Sequence, residues 1–547
     1  MKYILLIVLG LGLTLGSCKD FLTEKPTGSL TDQAQITSNP GGYALATGAY
    51  RTLPNWTAGA QWWGGSIMNS LEYATGKAYS QYQAADLYKF ETNVESGDSE
   101  YFILPWNYWY RGIRDANLAI LKIPDVTGLS ADEKSKLLGE VRTLRAFYYF
   151  ILTRKFGDVV FNTRVLQNVD EASQPRTSLK TIYDKIIVPD LEFAVNESKL
   201  VDERSTGRVT KHVARMILAD VYLTMAGYPY QEVAASTDTT KKWCVDGLWT
   251  MTAYPVNTPS AIALLQKAKT QIDFMAGLSS TYGTWAYADL RDPGQNNKKG
   301  AIFSIQYLAG TSNNGIVNTC VPLSGHTTVY TTETGTTIPS LAYSNSYNPI
   351  DLRVVDKQGY FYTTDNIASK YDINEPPAPK FPLPFLYKYY DFNSAKVVGQ
   401  SGLNFPLYRW ADVMLLKTEI NWTLKTLGQA IPDADILAGI NEIRTKAGVP
   451  TYSQVIDVGL KEIMAERAYE LIFENKMLYD MRRTRKALVD GSGQFTSLVN
   501  LVGHQPTYFN FQFSAKHLLD PVSSTEIDNN SLCLQNYGWT PKQKGQN

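Results

Sequence analysis

The residues best placed to do chemistry are three carboxylates at four-residue spacing, Glu462, Glu466 and Glu470, with Arg467 among them. Four-residue steps put all three on one face of a helix. A glycosidase needs two carboxyl groups facing each other across a sugar, about 5–9 Å apart and normally carried by different elements. One helix face does not aim them that way. They are expected instead to form buried ion pairs with Arg467, Arg482 and Arg483 that fix helix packing. The chain has only 4 histidines, isolated in sequence, which leaves little material for a His-based triad or a zinc site. His212 falls inside a predicted helix and His326 in a loop. No GxSxG, HExxH, Walker A or EF-hand pattern occurs. Neither a cofactor nor a metal site is expected.

What remains is aromatic. The chain carries 35 Tyr and 11 Trp, and flat rings with a polar tip suit sugar faces and wet interfaces. Most are expected to fill a core. Two groups lie outside clear helix faces. One is Tyr79-Ser80-Gln81-Tyr82. The other is Tyr282-Gly283-Thr284-Trp285-Ala286-Tyr287, followed by Tyr307, Asn313-Asn314 and Tyr330. The candidate ligand contacts are Tyr79, Tyr82, Trp285, Tyr287, Tyr307, Asn313 and Asn314.

Helices must carry these groups. Apolar residues recur at three- and four-residue steps over Gly42–Leu53, Trp106–Ile123, Thr210–Ala226 and Leu407–Leu427. Ser130-Ala131-Asp132-Glu133 is a capping box opening a helix to about Lys155. Leu179 to about Glu197 is helical, with a kink expected at Pro189. Pro259 suits the first turn of a helix to Met275. Pro432–Ala447 and Val458 to about Leu488 complete the set. Between them, Ser279–Phe405 is rich in Gly, Asn, Thr, Tyr and Pro, and Ala301–Tyr307 alternates like a strand. It reads as an irregular insertion with short strands. Ala146 and Ala214 lie in similar pieces 68 apart (214 − 146), twice the 34-residue tetratricopeptide period.

Lysine and arginine total 52 against 52 acidic residues, which removes the electrostatic driver of nucleic-acid binding. With 44% apolar and 19% charged residues the chain is globular. Lys2, an apolar run from Ile4 to Leu15 and small residues before Cys18 describe a secretory signal. The run is shorter than the ~20 residues that span a bilayer. Leu15-Gly16-Ser17-Cys18 resembles a bacterial lipobox, so cleavage before Cys18 and acylation of that residue are expected. Two or three acyl chains anchor firmly.

Several ordered motifs carry a wider resemblance. They include Cys18-Lys19-Asp20-Phe21-Leu22, Trp109-Tyr110-Arg111-Gly112-Ile113-Arg114-Asp115-Ala116-Asn117 and Glu140-Val141-Arg142-Thr143-Leu144-Arg145-Ala146. Phe156-Gly157-Asp158-Val159, Tyr408-Arg409-Trp410-Ala411-Asp412 and Glu466-Arg467-Ala468-Tyr469-Glu470 follow, then Asp480-Met481-Arg482-Arg483 and Leu534-Gln535-Asn536-Tyr537-Gly538. The chain resembles the SusD/RagB family of nutrient-binding lipoproteins of the Bacteroidetes. Val160 departs from the family's usual Pro, as does Leu519-Asp520-Pro521-Val522 from its Pro-Ile-Pro. The resemblance implies a mainly α fold of tetratricopeptide-like helix pairs with the irregular insertion. It implies an outward-facing outer-membrane lipoprotein that captures oligosaccharides and acts as lid for a SusC-like TonB-dependent β-barrel transporter. Other readings are a peptide-binding lid, a surface glycoside hydrolase and a structural adaptor. The expected organisation is signal peptide 1–17, lipidated tether 18–40, helical scaffold 41–278, ligand-binding subdomain 279–405, and scaffold with tail 406–547.

Overall fold

The computed structural model describes residues 38–56, 71–80, 100–316 apart from 167, 169, 203, 239 and 250, then 337–362, 384–394, 400–507 and 511–540. The fold is mainly helical, built from packed helix pairs of tetratricopeptide type. Helix α1 (Asn39–Gly48) starts before the expected tether ends. Ser38 accepts from Gly41 N–H and Pro40 occupies the first turn, where its missing N–H costs nothing. Helices α2 (Glu100–Lys122) and α3 (Ala131–Phe156) pack as a pair. The expected capping box opens α3: Glu133 N–H donates to Ser130 Oγ, and Ser130 N–H donates back to Glu133. Gly157, at φ 76, closes it.

The run Leu179–Glu197 is helical throughout. Pro189 does not break it, because wide π turns at Tyr183–Ile187 and Phe193–Glu197 flank the position and absorb its missing donor. Helices α4 (Lys211–Met225) and α5 (Pro259–Ala276) form the next pair, and α6 (Trp410–Thr426) and α7 (Asp433–Lys446) the third. One continuous helix was expected over Val458–Leu488. The structure breaks it into α8 (Leu460–Leu471), α9 (Met477–Thr484) and the strand Lys486–Val489. Phe473 and Asn475 take left-handed φ of 60 and 62 at the break. Asn475 is of a type that tolerates such a φ, but Phe473 is not, and no glycine marks the turn.

The strands are short and pair antiparallel. In chain order they are β1 (Ala78–Ser80), β2 (Val159–Val160), β3 (Arg176–Thr177), β4 (Ala301–Ile305) and β5 (Thr337–Pro339). Then come β6 (Phe361–Tyr362), β7 (Phe385–Leu386), β8 (Phe405–Arg409), β9 (Lys486–Val489) and β10 (Ser497–Asn500). Their pairs are β1–β5, β2–β3, β4–β8, β6–β7 and β9–β10. Residues Leu407–Arg409, read as helix from their apolar spacing, are strand. They pair with Ala301–Phe303, so α6 starts only at Trp410. The β4–β8 ladder ties the insertion to the scaffold across positions 405 and 406.

Candidate functional site

Two buried side chains hold β1 in place. Lys77 donates to Leu488 O at 3.0 Å and pairs with Asp490 at 2.7 Å. Burial lowers its pKa while Asp490 opposes the shift. Glu72 accepts from Asn475 N–H at 2.7 Å and from Phe473 N–H, so a carboxylate fills the concavity of the strained turn after α8. Burial pushes Glu72 up to about 7 against those two donors. From this mount β1 pairs with β5, Tyr79 opposite Ile338 and Ser80 opposite Thr337. The strand bearing Tyr79 is thereby joined to the insertion. Nothing of the Tyr79 side chain lies among the described residues, and Cys18, Tyr82, His326 and Tyr330 lie outside them.

The insertion contributes a turn beyond β4. Tyr307 donates its hydroxyl to Pro54 O at 2.9 Å and its N–H to Asn404 Oδ1 at 2.9 Å. Leu308 and Ser312 then bond each other reciprocally, with Gly310 at φ 81 at the tip. Asn313 accepts from Gly310 N–H at 2.8 Å and is exposed. Asn314 is buried: its amide donates to Leu403 O at 2.7 Å and its carbonyl accepts from Ile316 N–H. The two asparagines therefore do different work, one at the tip and one at the base. Leu308 stands 62% exposed above them, a large apolar side chain offered to solvent beside polar neighbours.

Trp285 and Tyr287 meet edge to face at 5.4 Å, and both turn inward. They do not form the open platform that their loop position suggested. Tyr287 donates to Glu470 at 3.4 Å and packs edge-on against Tyr360 at 5.1 Å. The Trp285 ring lies near two cations, with the Arg409 guanidinium 5.2 Å and the Lys446 ammonium 4.7 Å from it. Trp285 also lines a small cavity shared with Asp289, Asn296, Asn297, Lys298 and Lys299. Asn297 and Asn404 of its lining belong to an amide network that continues to Gln306. Asn297 and Gln306 bond reciprocally at 2.7 and 3.0 Å, and Asn404 donates to Gln306 at 2.9 Å. Asn404 thus links the cavity wall to Tyr307. Sequence reasoning missed Asn296, Asn297, Gln306 and Asn404. The Asn-Asn-Lys-Lys run just before β4 was the available signal.

Beneath lies a buried ion network. Arg353 pairs with Asp351 and Glu466 at 2.7 Å each and with Glu470 at 3.1 Å. Arg409 pairs with Glu470 at 2.7 Å and Glu474 at 2.8 Å, and Lys388 also pairs with Glu474. Burial raises Glu474, but Arg409 and Lys388 more than offset it and hold the carboxyl below its usual range. Two of the expected carboxylates, Glu466 and Glu470, are thus buried in ion pairs, with partners other than those expected. Glu466 and Glu470 take Arg353, Arg409 and Arg444, and Arg467 takes Asp480. Arg482 takes Asp520, and Arg483 takes Glu419 and Asp480. Glu462, half-buried, accepts from Gly459 N–H at the start of α8 and pairs with Lys461 at 3.1 Å. Among the described residues no group of three His, Cys, Asp or Glu could hold a metal, and no helix is long and apolar enough to cross a membrane.

Comparison with known proteins gives a consistent match. A family model described as SusD family covers residues 282–539, and one described as starch-binding associating with outer membrane covers residues 52–223. A SusD-like protein of Formosa agariphila is 26% identical over 94% of this chain and 96% of its own. A surface glycan-binding protein A from Bacteroides uniformis shares the fold, with 17% identity, a TM-score of 0.68, and 91% and 99% of the two chains covered. A crystal structure of a SusD superfamily protein from Parabacteroides distasonis matches at TM-score 0.78 and 30% identity, covering 91% of this chain and 99% of that one. The chain belongs to the SusD family.

Proposed function

We propose that this protein is an outer-membrane lipoprotein, anchored through Cys18, that captures oligosaccharides at the cell surface and acts as lid for a SusC-like TonB-dependent transporter. It binds and does not cleave. Tyr79, Tyr82, Tyr307 and Asn313 form the ligand surface in this reading, with Trp285, Tyr287 and Asn314 supporting it from below. The observation that carries the reading is the turn beyond β4, which Tyr307 anchors through Pro54 O and Asn404 and which offers Leu308 and Asn313 to solvent. The β1–β5 ladder joins the strand bearing Tyr79 to the same insertion. Family membership and the matching family description, starch-binding and associating with the outer membrane, support the same conclusion. Rings for sugar C–H faces and amides for hydroxyls are the chemistry such a surface needs.

The test is calorimetric titration of the full chain in detergent with neutral oligosaccharides and short peptides, beside Tyr79→Ala, Tyr82→Ala and Tyr307→Ala. Binding to one glycan class, weakened at least about tenfold in these variants with the fold intact, is expected. Binding of peptides alone would move the protein to peptide capture. Cleavage of a glycan by the pure chain would overturn the reading.

A further inference from the structure

A second cavity lies between the end of α7, the start of α8, the segment 348–353 and the turn joining β9 to β10. None of its lining residues belongs to the ligand surface proposed above. It holds about 160 Å³, room for about ten water molecules. One hexose ring with its hydroxyls is of that size. Its floor is made of buried side chains: Arg353 and Glu466 both line it, are 0% and 1% exposed, and pair at 2.7 Å. Phe495, stacked on Tyr469 at 4.9 Å, adds an apolar wall. The turn before Phe495 is fixed by Gly493 N–H, which donates to Asn345 O at 2.8 Å.

Three cations and three anions line this cavity, and each has its partner. Arg353 pairs with Asp351 at 2.7 Å, Arg444 with Glu466 at 2.9 Å and Lys461 with Glu462 at 3.1 Å. No charge is left over to call for an ion. What remains is uncommitted hydrogen-bonding capacity. Arg444 spends Nε on Pro450 O and Nη1 on Glu466, and its Nη2 has no partner among the described residues. The Tyr452 hydroxyl and Asn348 Nδ2 have none either, although the backbone of Tyr452 and Oδ1 of Asn348 are bonded. All three atoms are open to solvent, not sealed in the interior. A hydroxyl both donates and accepts, so a ligand rich in hydroxyls suits a guanidinium, a phenol and an amide together. The Arg444–Glu466 pair also sets a donor beside a carboxylate with lone pairs to spare, the arrangement that two neighbouring ring hydroxyls need. Val449, Ala465 and Phe495 supply apolar surface for the ring's C–H groups.

We propose that this cavity is a second sugar subsite, taking one neutral hexose unit whose hydroxyls bond to Arg444, Tyr452 and Asn348. The proposal rests on the oligosaccharide-binding reading and adds a place, apart from the aromatic turn, where a single sugar unit is held by polar contacts.

The experiment is saturation-transfer NMR of the full chain in detergent with the methyl glycosides of glucose, galactose and mannose. It is run in a Tyr307→Ala background, so that stacking at the turn does not contribute. At least one glycoside should bind saturably. Tyr452→Phe keeps the ring against Arg444 and removes only the hydroxyl, and should weaken that binding about fivefold. Ala465→Phe fills the cavity and should abolish it. Saturable binding of none of the three would overturn the subsite, as would unchanged binding in a folded Ala465→Phe variant. Should that variant not fold, unchanged affinity in Tyr452→Phe overturns the subsite instead. If oligosaccharides bind the unsubstituted chain through Tyr307 and no methyl glycoside binds here, only the subsite has failed. If no glycan binds at either place, the wider reading fails with it.

Discussion

Around Arg409, charged side chains have left water and found partners. Arg353, Lys388 and Arg409 each hold several acceptors, drawn from Asp351, Glu466, Glu470 and Glu474 and from the backbone after α8. A short distance along the chain from β4, the turn Leu308–Asn313 does the reverse. It exposes an apolar side chain and a row of polar ones, and bonds mostly to itself. In the proposed site the buried network would be the base and the turn the open surface. The difference teaches where substitutions should be felt. Changes in the base should show in stability, and changes in the turn should show in binding.

The largest effect should come from Arg409. Arg409→Met leaves Glu470 and Glu474 buried with part of their compensation gone, and should cost about 3–5 kcal/mol. Urea unfolding measures it. Arg51→Met is the control, since Arg51 pairs with Asp115 at 2.8 Å but its side chain is 65% exposed. That pair should contribute less than about 1 kcal/mol. Equal costs for the two would mean that burial does not distinguish them, and the comparison would break.

Glu72 sharpens the comparison through pH. Burial raises its carboxyl from 4.5 to about 7, against the Asn475 and Phe473 N–H groups. A raised carboxyl means that the folded state holds its proton more tightly than the unfolded chain does. The stability it contributes is therefore full below about pH 4.5 and is lost as pH rises through about 7. The loss is on the order of 3 kcal/mol. Glu72→Gln keeps an acceptor for both N–H groups and cannot ionise. Its stability relative to the wild type should rise between pH 5 and pH 8. Parallel pH profiles for the two proteins, followed by denaturant midpoint, would remove Glu72 as the source.

The base and the turn were not equally legible in the sequence. Apolar spacing found α2 to α7, because a helix buries one stripe and the stripe repeats. The capping box at Ser130 and the first-turn Pro259 were readable for the same local reason. The break after α8 was not. Asn475 alone is a weak turn signal, Phe473 is none, and the acceptor for their N–H groups, Glu72, comes from about four hundred residues earlier. The last three residues of strand β8 were read as helix because Leu407 lies a helical step of three before Trp410, and only the distant β4 shows their pairing. At the candidate site, residue type and loop position pointed to Tyr307, which the structure places, half-buried, at the start of an exposed turn. The same reasoning could not see that Trp285 and Tyr287 turn inward, because Arg409, Lys446 and Glu470 come from distant elements. Partner choice in the ion network was equally hidden: Arg353 lies in the irregular stretch, where no periodicity marks it.

Tyr307 is the place where the two regions touch, and it should show the smallest effect. Its hydroxyl donates to Pro54 O at 2.9 Å, while its backbone N–H is held by Asn404. Tyr307→Phe removes the hydroxyl and with it the bond to Pro54 O, at a half-buried position. A stability loss of about 1 kcal/mol is expected, well below that of Arg409→Met. The ring face survives, so affinity for a sugar stacked on it should change little, whereas Tyr307→Ala should weaken binding strongly. Paired unfolding and titration of the Phe and Ala variants separates the two roles. A Phe variant that binds as poorly as the Ala variant would mean that Tyr307 acts through its bond to Pro54, as part of the base, and that the ligand surface begins further out at Leu308.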